Sequence, residues 1–528
     1  MSITRVLKFF IFILLHILIL GLIPLGLFCL NISETPTIIL AILWLAALWA
    51  ARIILDKKRP AEHRKSFWAG NIGLIVLDTA ILFLIILCTV YNPYWNSQTF
   101  VNYWGEPDSG NTTLTKQEAL EDYEFAMKYL EKLHPLAIHG LPSEIITQAD
   151  EVKKHIESMD SIRGYELSRE LESILARLHD GHTSVSYRFA EPHIMKHRYE
   201  REKKKDTLVG INGISLIDIL HQNPYLFSYE MESWAIENIK RQAFMLEGLK
   251  YLGINTTGTI TYNYVTADGT QDNDFVTEKD FLLNEEYQKY KEAVTGDDLN
   301  KESSEDYDFV SYELDIPRSL AILKLDKCNY NKQYKRTLAE MFEKVHELGI
   351  QNVAVDLLKN GGGDATVAPE FISYLNVDSY KNYSIEARKD FKLFWSLFES
   401  VTHYFISGEN TSDLNEKKGH AFAGNVYVLT SSNTFSAAMD FTVLIQDNKI
   451  GKVIGEAPGN MPSSYGDVSC FTLPNSGLSM HVPWRAFHRP DNTKEAIPAI
   501  PDIECEASNA LDQLKTLIDE RKSNSGND

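Results

Sequence analysis

Residues 425–446 read NVYVLTSSNTFSAAMDFTVLIQ. Asn425 to Leu429 is an apolar, β-branched run of the kind that fills a buried strand, and Ser436 to Gln446 has the length and apolar face of a helix. The chain must therefore turn sharply between Leu429 and Ser436. A serine at such a turn is well placed for nucleophilic chemistry. The positive end of the helix favours developing negative charge, and the N–H of Ala437 can face an oxyanion. The same serine could equally cap the helix, as could Ser431, Ser432 or Thr434.

Working outward, the surrounding pattern repeats. Leu320 to Leu325 is a strand, Tyr334 to Leu348 an amphipathic helix and Asn352 to Leu358 another buried-type strand. Lys452 to Ile454 is again strand-like. Strands alternating with helices predict a parallel α/β core. The strand at 352 runs directly into Asn360-Gly361-Gly362-Gly363. Glycines there let the backbone turn tightly and leave amide N–H groups bare, a cradle for a phosphate or an oxyanion. No Lys-Ser/Thr follows, so the loop is not a P-loop. A glycine run is also a common plain turn.

Further upstream, Thr115 opens a helix with Glu118 three residues on, a capping-box pattern. Apolar residues then recur at three and four (Ala119, Tyr123, Ala126, Met127, Leu130, Leu133), with breaks at His134-Pro135 and Gly140. This helical region ends at Asp180-Gly181-His182-Thr183, where a histidine on a turn could serve as a general base. His179 and His182 share i, i+3 spacing, but the glycine breaks the helix and no third ligand is near, so no metal or cofactor is expected. Residues 207–222 read as strand, Asn212-Gly213 turn and short helix. Residues 223–252 look helical. Gly258 to Val265 alternates as a strand, and Glu285 to Asp308 is a charged surface excursion.

The N-terminal segment is different in kind. Residues 9–30, 37–55 and 72–91 form three apolar runs, with Arg52 and Asp78 inside the second and third. The first is long enough to cross a hydrocarbon core of about 30 Å. A cleaved signal peptide is the competing reading of the first run, but two more follow it. Arg5 and Lys8 precede the first run, and Lys57, Lys58, Arg59, Arg64 and Lys65 lie between the second and third. The positive-inside rule then expects a multi-pass membrane protein with a cytoplasmic N-terminus and everything after residue 91 on the outer face, the bilayer being a partner through residues 9–91. His16 and Asp78 fall within these runs.

Eight of the 52 Lys/Arg and four of the 72 Asp/Glu lie in residues 1–91, so the remainder carries 44 basic against 68 acidic residues. Such a surface disfavours nucleic acid as a partner. Five cysteines make no disulfide framework. Sequons stand at Asn111, Asn255, Asn382 and Asn410.

Taken together, the motifs resemble the carboxy-terminal processing and tricorn-core serine peptidases, the tail-specific protease superfamily. The resemblance runs from about residue 117 to 505, in the family's order. It comprises a helix ending in His134-Pro135, LARLHDGHTSV (175–185), LVGINGISLIDIL (208–220), NVAVDLLKNGGG (352–363) and VYVLTSSNTFSAAMDF (426–441). Closing motifs VIGEAPGN, LPNSG and IPDIECE follow. It implies an α/β core of ClpP/crotonase type, with Ser436 as nucleophile. One kind of member uses a lysine base inside a Gly-Glu-x-Thr-x-Gly-Lys segment. Here Asn460 stands near that position, and an amide cannot take the proton. The other kind uses the Asp-Gly-His histidine with a glutamate, which implies His182 as base and Glu456 as its orienting partner. Gly362 or Gly363, with Ala437, would form the oxyanion hole. Leu358 stands where the family often has arginine.

The expected organisation is a three-span anchor (1–91), a tether (92–115) and a helical part of the peptidase region (116–200). A divergent PDZ-like or insert module (201–310), the α/β serine peptidase core (311–510) and a polar C-terminal tail (511–528) follow. The expected function is that of a membrane-anchored serine endopeptidase acting on extracytoplasmic peptides or proteins. The alternative is an inactive ectodomain that binds or senses peptides.

Overall fold

The computed structural model describes residues 105–295, 309–389, 403–406, 410–413 and 420–525, with a few isolated positions before residue 80. Apart from those isolated positions, the three expected spans lie outside the described residues. Among the described residues, no helix is long and apolar enough to cross a membrane. Residues 101–388 and 404–528 form one unit, considered by itself below.

Helix α1 (Lys116–Leu133) starts on a complete capping box. The Glu118 N–H donates to the Thr115 hydroxyl, and Glu118 accepts from the Thr115 N–H at 2.8 Å. This reciprocal pairing satisfies two donors that a helix start otherwise leaves bare. Ahead of it, Thr113–Thr115 pairs with Ser161–Arg163, so the last residues of the expected tether belong to the folded unit. Helices α2 (Ser143–Ser158) and α3 (Gly164–Leu175) pack on α1. A short 3-10 turn ends at His179, whose left-handed φ of 49° turns the chain out of the helix. Strand β1 (Ser184–Ser186) follows at once.

The middle module is a four-stranded antiparallel sheet built around β2 (Thr207–Ile211), β3 (Ile260–Val265) and β4 (Gln271–Val276). Asn212 and Gly213, at φ 53° and 76°, make the tight turn after β2. Helix α4 (Glu232–Ala243) buries Ala235, Ile239 and Ala243 against this sheet.

The core is a six-stranded mixed sheet. Its strands are β5 (Val310–Asp315), β6 (Leu320–Leu325), β7 (Asn352–Asp356), β8 (Asn425–Thr430), β9 (Lys452–Gly455) and β12 (Ile503–Glu504), in that spatial order. Only the β5–β6 pair is antiparallel. Strand alternation sorts the side chains. Leu323, Leu325, Val353, Val355, Val426 and Val428 face α5 (Lys332–Glu347) and α6 (Ala437–Asp447). Leu320, Ile322, Ala354, Tyr427, Leu429 and Ile454 face the opposite way. Covering the sheet on both faces is what a parallel arrangement requires.

That second face is closed by α7 (Ala510–Ser525), which corrects the expected polar tail. Ala510, Leu514 and Ile518 recur every four residues, make one apolar stripe and are buried on the sheet. Each fully buried leucine or isoleucine contributes roughly 1.5–3 kcal/mol, enough to hold an otherwise polar helix.

Strands β10 (Ser464–Thr472) and β11 (Ser479–His488) form a long hairpin between β9 and β12. β1 pairs with β11, and the Asp122 carboxylate of α1 accepts the N–H groups of Asn475 and Ser476 at the hairpin tip. The histidine-bearing loop is thereby anchored to an element that comes after the serine in the chain.

Candidate active site

After β8 the chain reverses through residues 431–435, and the turn is tied to the end of β7. Thr434 donates from its hydroxyl to the Leu357 carbonyl at 2.9 Å, and Ser431 does the same to Leu358. The Phe435 N–H reaches the Asn360 carbonyl at 3.0 Å. These bonds hold Ser436 at φ 52° and ψ −128°, a conformation that L-residues rarely adopt and that persists only where its surroundings fix it. The Ser436 N–H donates to Asn460 Oδ1 at 2.8 Å. Its side chain makes no capping bond. The hydroxyl is therefore not used in capping α6, the alternative the sequence left open.

The glycine loop abuts this turn. A Cβ added to Gly362, whose φ is 102°, would lie 2.7 Å from Ser436 Cβ and 3.1 Å from Ala437 N, so only glycine fits. The Gly362 N–H donates to Asn360 Oδ1 at 2.9 Å, and Asn360 is itself pinned by its Nδ2 to the Leu325 carbonyl. Gly362 thus spends its donor on the loop, which corrects its place as a candidate oxyanion donor. Gly363 and Ala437 have no acceptor for their N–H groups among the described residues. Beside the loop, Cys328 is buried, which pushes its thiol up to about 12 and keeps it protonated.

His182 stands on the other side of Phe435. The two rings are 4.7 Å apart, and Phe435 stacks in turn on Trp234 at 4.1 Å. Behind His182 lies the buried Asp180. It accepts the His182 backbone N–H at 2.9 Å, the Thr183 hydroxyl and His134 Nε2 at 3.2 Å. Because His134 Nδ1 accepts the Leu136 N–H, its Nε2 carries the proton and donates. Burial pushes the Asp180 carboxyl up, but the His134 hydrogen bond and the nearby His134 and His182 side chains outweigh it and hold the group well below the usual range. His182 Nδ1 is 3.7 Å from Asp180 Oδ1, and neither ring nitrogen has a hydrogen-bond partner. Ser436 and His182 are thus neighbours through Phe435 but are not hydrogen-bonded here.

Glu456 has a different job from the one expected. Its oxygens accept the N–H groups of Ser432 at 3.2 Å and Ala507 at 3.0 Å, clamping the serine turn to the segment after β12. The carboxylates beside His182 are instead Asp180 and Glu230, whose donor atoms lie within 4.8 Å of one another and of the ring. Asp180 was visible in the sequence as part of its motif. Glu230, in the stretch SYEMESW, follows no motif, and only the fold brings it here. Leu358, in place of the frequent arginine, serves the site through its carbonyl.

Residues 319–505 match the model of peptidase family S41. That stretch holds the glycine loop and the Ser436 turn. Among solved structures, mature CPAF complexed with lactacystin is similar at 13% identity and a TM-score of 0.53, over 78% of this chain and 99% of that one. A CPAF mutant gives 12% and 0.54, over 77% and 97%. At such identity these likenesses establish the shared fold. No curated protein matches the sequence.

Proposed function

We propose that the chain is a serine endopeptidase in which Ser436 is the nucleophile and His182 the general base. The observation that carries this reading is Ser436 itself, held in a strained turn with its hydroxyl unspent, beside two uncommitted backbone N–H groups. Ser436 Oγ attacks the peptide carbonyl while His182 takes its proton. The N–H groups of Gly363 and Ala437 receive the oxyanion. His182 then returns the proton to the leaving amine, and water repeats the sequence on the acyl-enzyme. Asp180 remains ionised behind His182 and stabilises the imidazolium. The Ser436–His182 hydrogen bond closes with substrate, since such bonds are often open in unliganded enzymes.

Ser436→Ala is expected to abolish both hydrolysis of a broad peptide library and adduct formation with a fluorophosphonate. A variant that cleaves at the parental rate would refute the assignment.

The same proposal places the peptidase on the outer face of a membrane, tethered through residues 9–91, with exported or surface proteins as substrates. Three apolar runs and the placement of Lys and Arg between them support this. Labelling of cysteines introduced at exposed peptidase positions by a membrane-impermeant reagent in intact cells is the test. Labelling only after lysis would reverse the orientation.

A further inference from the structure

Three contacts run from the middle module to the two loops that hold Ser436 and His182. The Arg241 guanidinium donates to Asn433 Oδ1 at 2.9 Å on the serine turn. Trp234 stacks on Phe435, and a Cβ added to Gly459 or Gly181 would come within 3.1 Å of Trp234 or 3.0 Å of Phe435 respectively. The segment is therefore packed without slack between the loops.

Glu230 is the third contact and the most telling. One oxygen accepts the Met461 N–H at 3.2 Å, next to Asn460, which holds the Ser436 N–H. The Gly181 N–H, immediately before His182, also favours the charged form of Glu230. Its Oε1 is buried and has no partner, and neither has either ring nitrogen of His182. A carboxylate oxygen of Glu230 and a ring nitrogen of His182 fall within 4.8 Å of each other. A buried acceptor and a buried imidazole, each lacking a partner at this separation, are a pair waiting for a small ring movement, because leaving either unsatisfied is costly.

We propose that Glu230 is a positioning residue for His182, so that the middle module supplies part of the peptidase machinery. When substrate arrives, one ring nitrogen of His182 turns to Ser436 Oγ and the other N–H donates to Glu230 Oε1. Glu230 thereby takes the orienting role that the family resemblance implied for Glu456. The titratable groups facing Glu230 are Asp180, His182 and Tyr465, with His134 behind Asp180. Burial and the neighbouring Asp180 charge raise the Glu230 carboxyl well above its ordinary value. Against that pull, the Met461 and Gly181 N–H groups favour the carboxylate, and so does the positive charge that develops on His182 as it takes the Ser436 proton.

The inference rests on the Ser436–His182 reading. Glu230→Ala is expected to lower kcat about 100-fold with KM nearly unchanged, the cost of a catalytic group displaced by about 1 Å. Glu230→Gln keeps an amide oxygen that can accept the His182 N–H, and is expected to recover about tenfold of that loss. Its acid limb of the kcat–pH profile should move to lower pH, since the imidazolium has lost an anionic neighbour. A folded Glu230→Ala with parental kcat, or a Glu230→Gln with an unshifted acid limb, would overturn the proposal. Activity is expected to survive EDTA. Loss on chelation, restored by zinc, would make Asp180, His182 and Glu230 a metal centre and also overturn it. If Ser436→Ala remains active, the underlying reading fails independently of Glu230.

Discussion

Gly362→Ala probes the site at its tightest point. The added methyl carbon would lie 2.7 Å from Ser436 Cβ and 2.8 Å from the Phe435 carbonyl oxygen. Carbon atoms at contact need about 3.5–4.0 Å, so Ser436 or the glycine loop must move by about 1 Å. The backbone adds its own cost, because φ is 102° at this position. An L-residue with positive φ loses roughly 1–2 kcal/mol, and overpacking adds about 1–3 kcal/mol. The variant should therefore be less stable by about 2–5 kcal/mol. It should also form the fluorophosphonate adduct about 100-fold more slowly, the usual cost of such a misplacement. The assay is adduct formation followed by intact-protein mass spectrometry, with melting measured in parallel. Gly361→Ala is the matched control: nothing lies within 4 Å of its added carbon, and both readouts should stay at the parental level. A Gly362→Ala protein that labels and melts like the parent would show that the glycine loop does not press against Ser436.

Further outcomes are expected. Asn460→Ala strips the acceptor from the Ser436 N–H. A buried donor left bare costs about 1–3 kcal/mol, so labelling should slow at least several-fold, and an unchanged rate would deny Asn460 any hold on the serine. Arg489 and Asp447 form a bidentate pair with both side chains about 1% exposed. Arg489→Ala leaves the buried Asp447 carboxylate with only Lys494 at 3.6 Å and the Asp491 N–H and should cost about 3 kcal/mol in denaturant unfolding, the lower end for a broken buried pair, with a loss below 1 kcal/mol counting against the pairing. Burial pushes the Glu172 carboxyl up from 4.5 to about 7, against the opposing N–H bonds of Val185 and Ser228. The native state thus keeps a proton that the unfolded chain has released. Its contribution to stability is full below pH 4.5 and is lost as pH rises through about 7. Glu172→Gln, neutral throughout, should flatten that part of the stability–pH curve; an equally steep curve would place the titration elsewhere.

Much of the core was legible because its signals are local. Thr115 and Glu118 announce a helix start through a reciprocal bond three residues apart. The apolar runs at 320, 352 and 425 need burial on both faces, and they have it. The meeting of the glycine loop with the serine turn was legible too, since both follow neighbouring parallel strands. What stayed hidden depends on tertiary placement. Glu456 sits in a motif, yet the two N–H groups it clamps come from residues 432 and 507. Gly362 and Gly363 are equivalent in sequence, and only the Asn360 side chain separates them. Glu230 has no sequence signature, because its neighbours His182 and Met461 come from distant segments. The helix at 510–525 was masked by its polarity: three apolar residues on one stripe suffice when a sheet face awaits them.

The clamp of Glu456 on Ala507, together with the pairing of β9 and β12, bears on the protein's own biosynthesis. His182 leaves the ribosome well before Ser436, and the Ser436 turn well before the segment that steadies it. Asp122 must likewise wait for Asn475, 353 residues later, before the hairpin tip docks on α1. Contacts so distant in sequence form late and slowly. A nascent chain therefore carries Ser436 and His182 before it has the contacts that fix their turns. The Glu456 clamp closes only once the strand at 503–504 has joined the sheet, so the serine turn gains its last support at the end of synthesis.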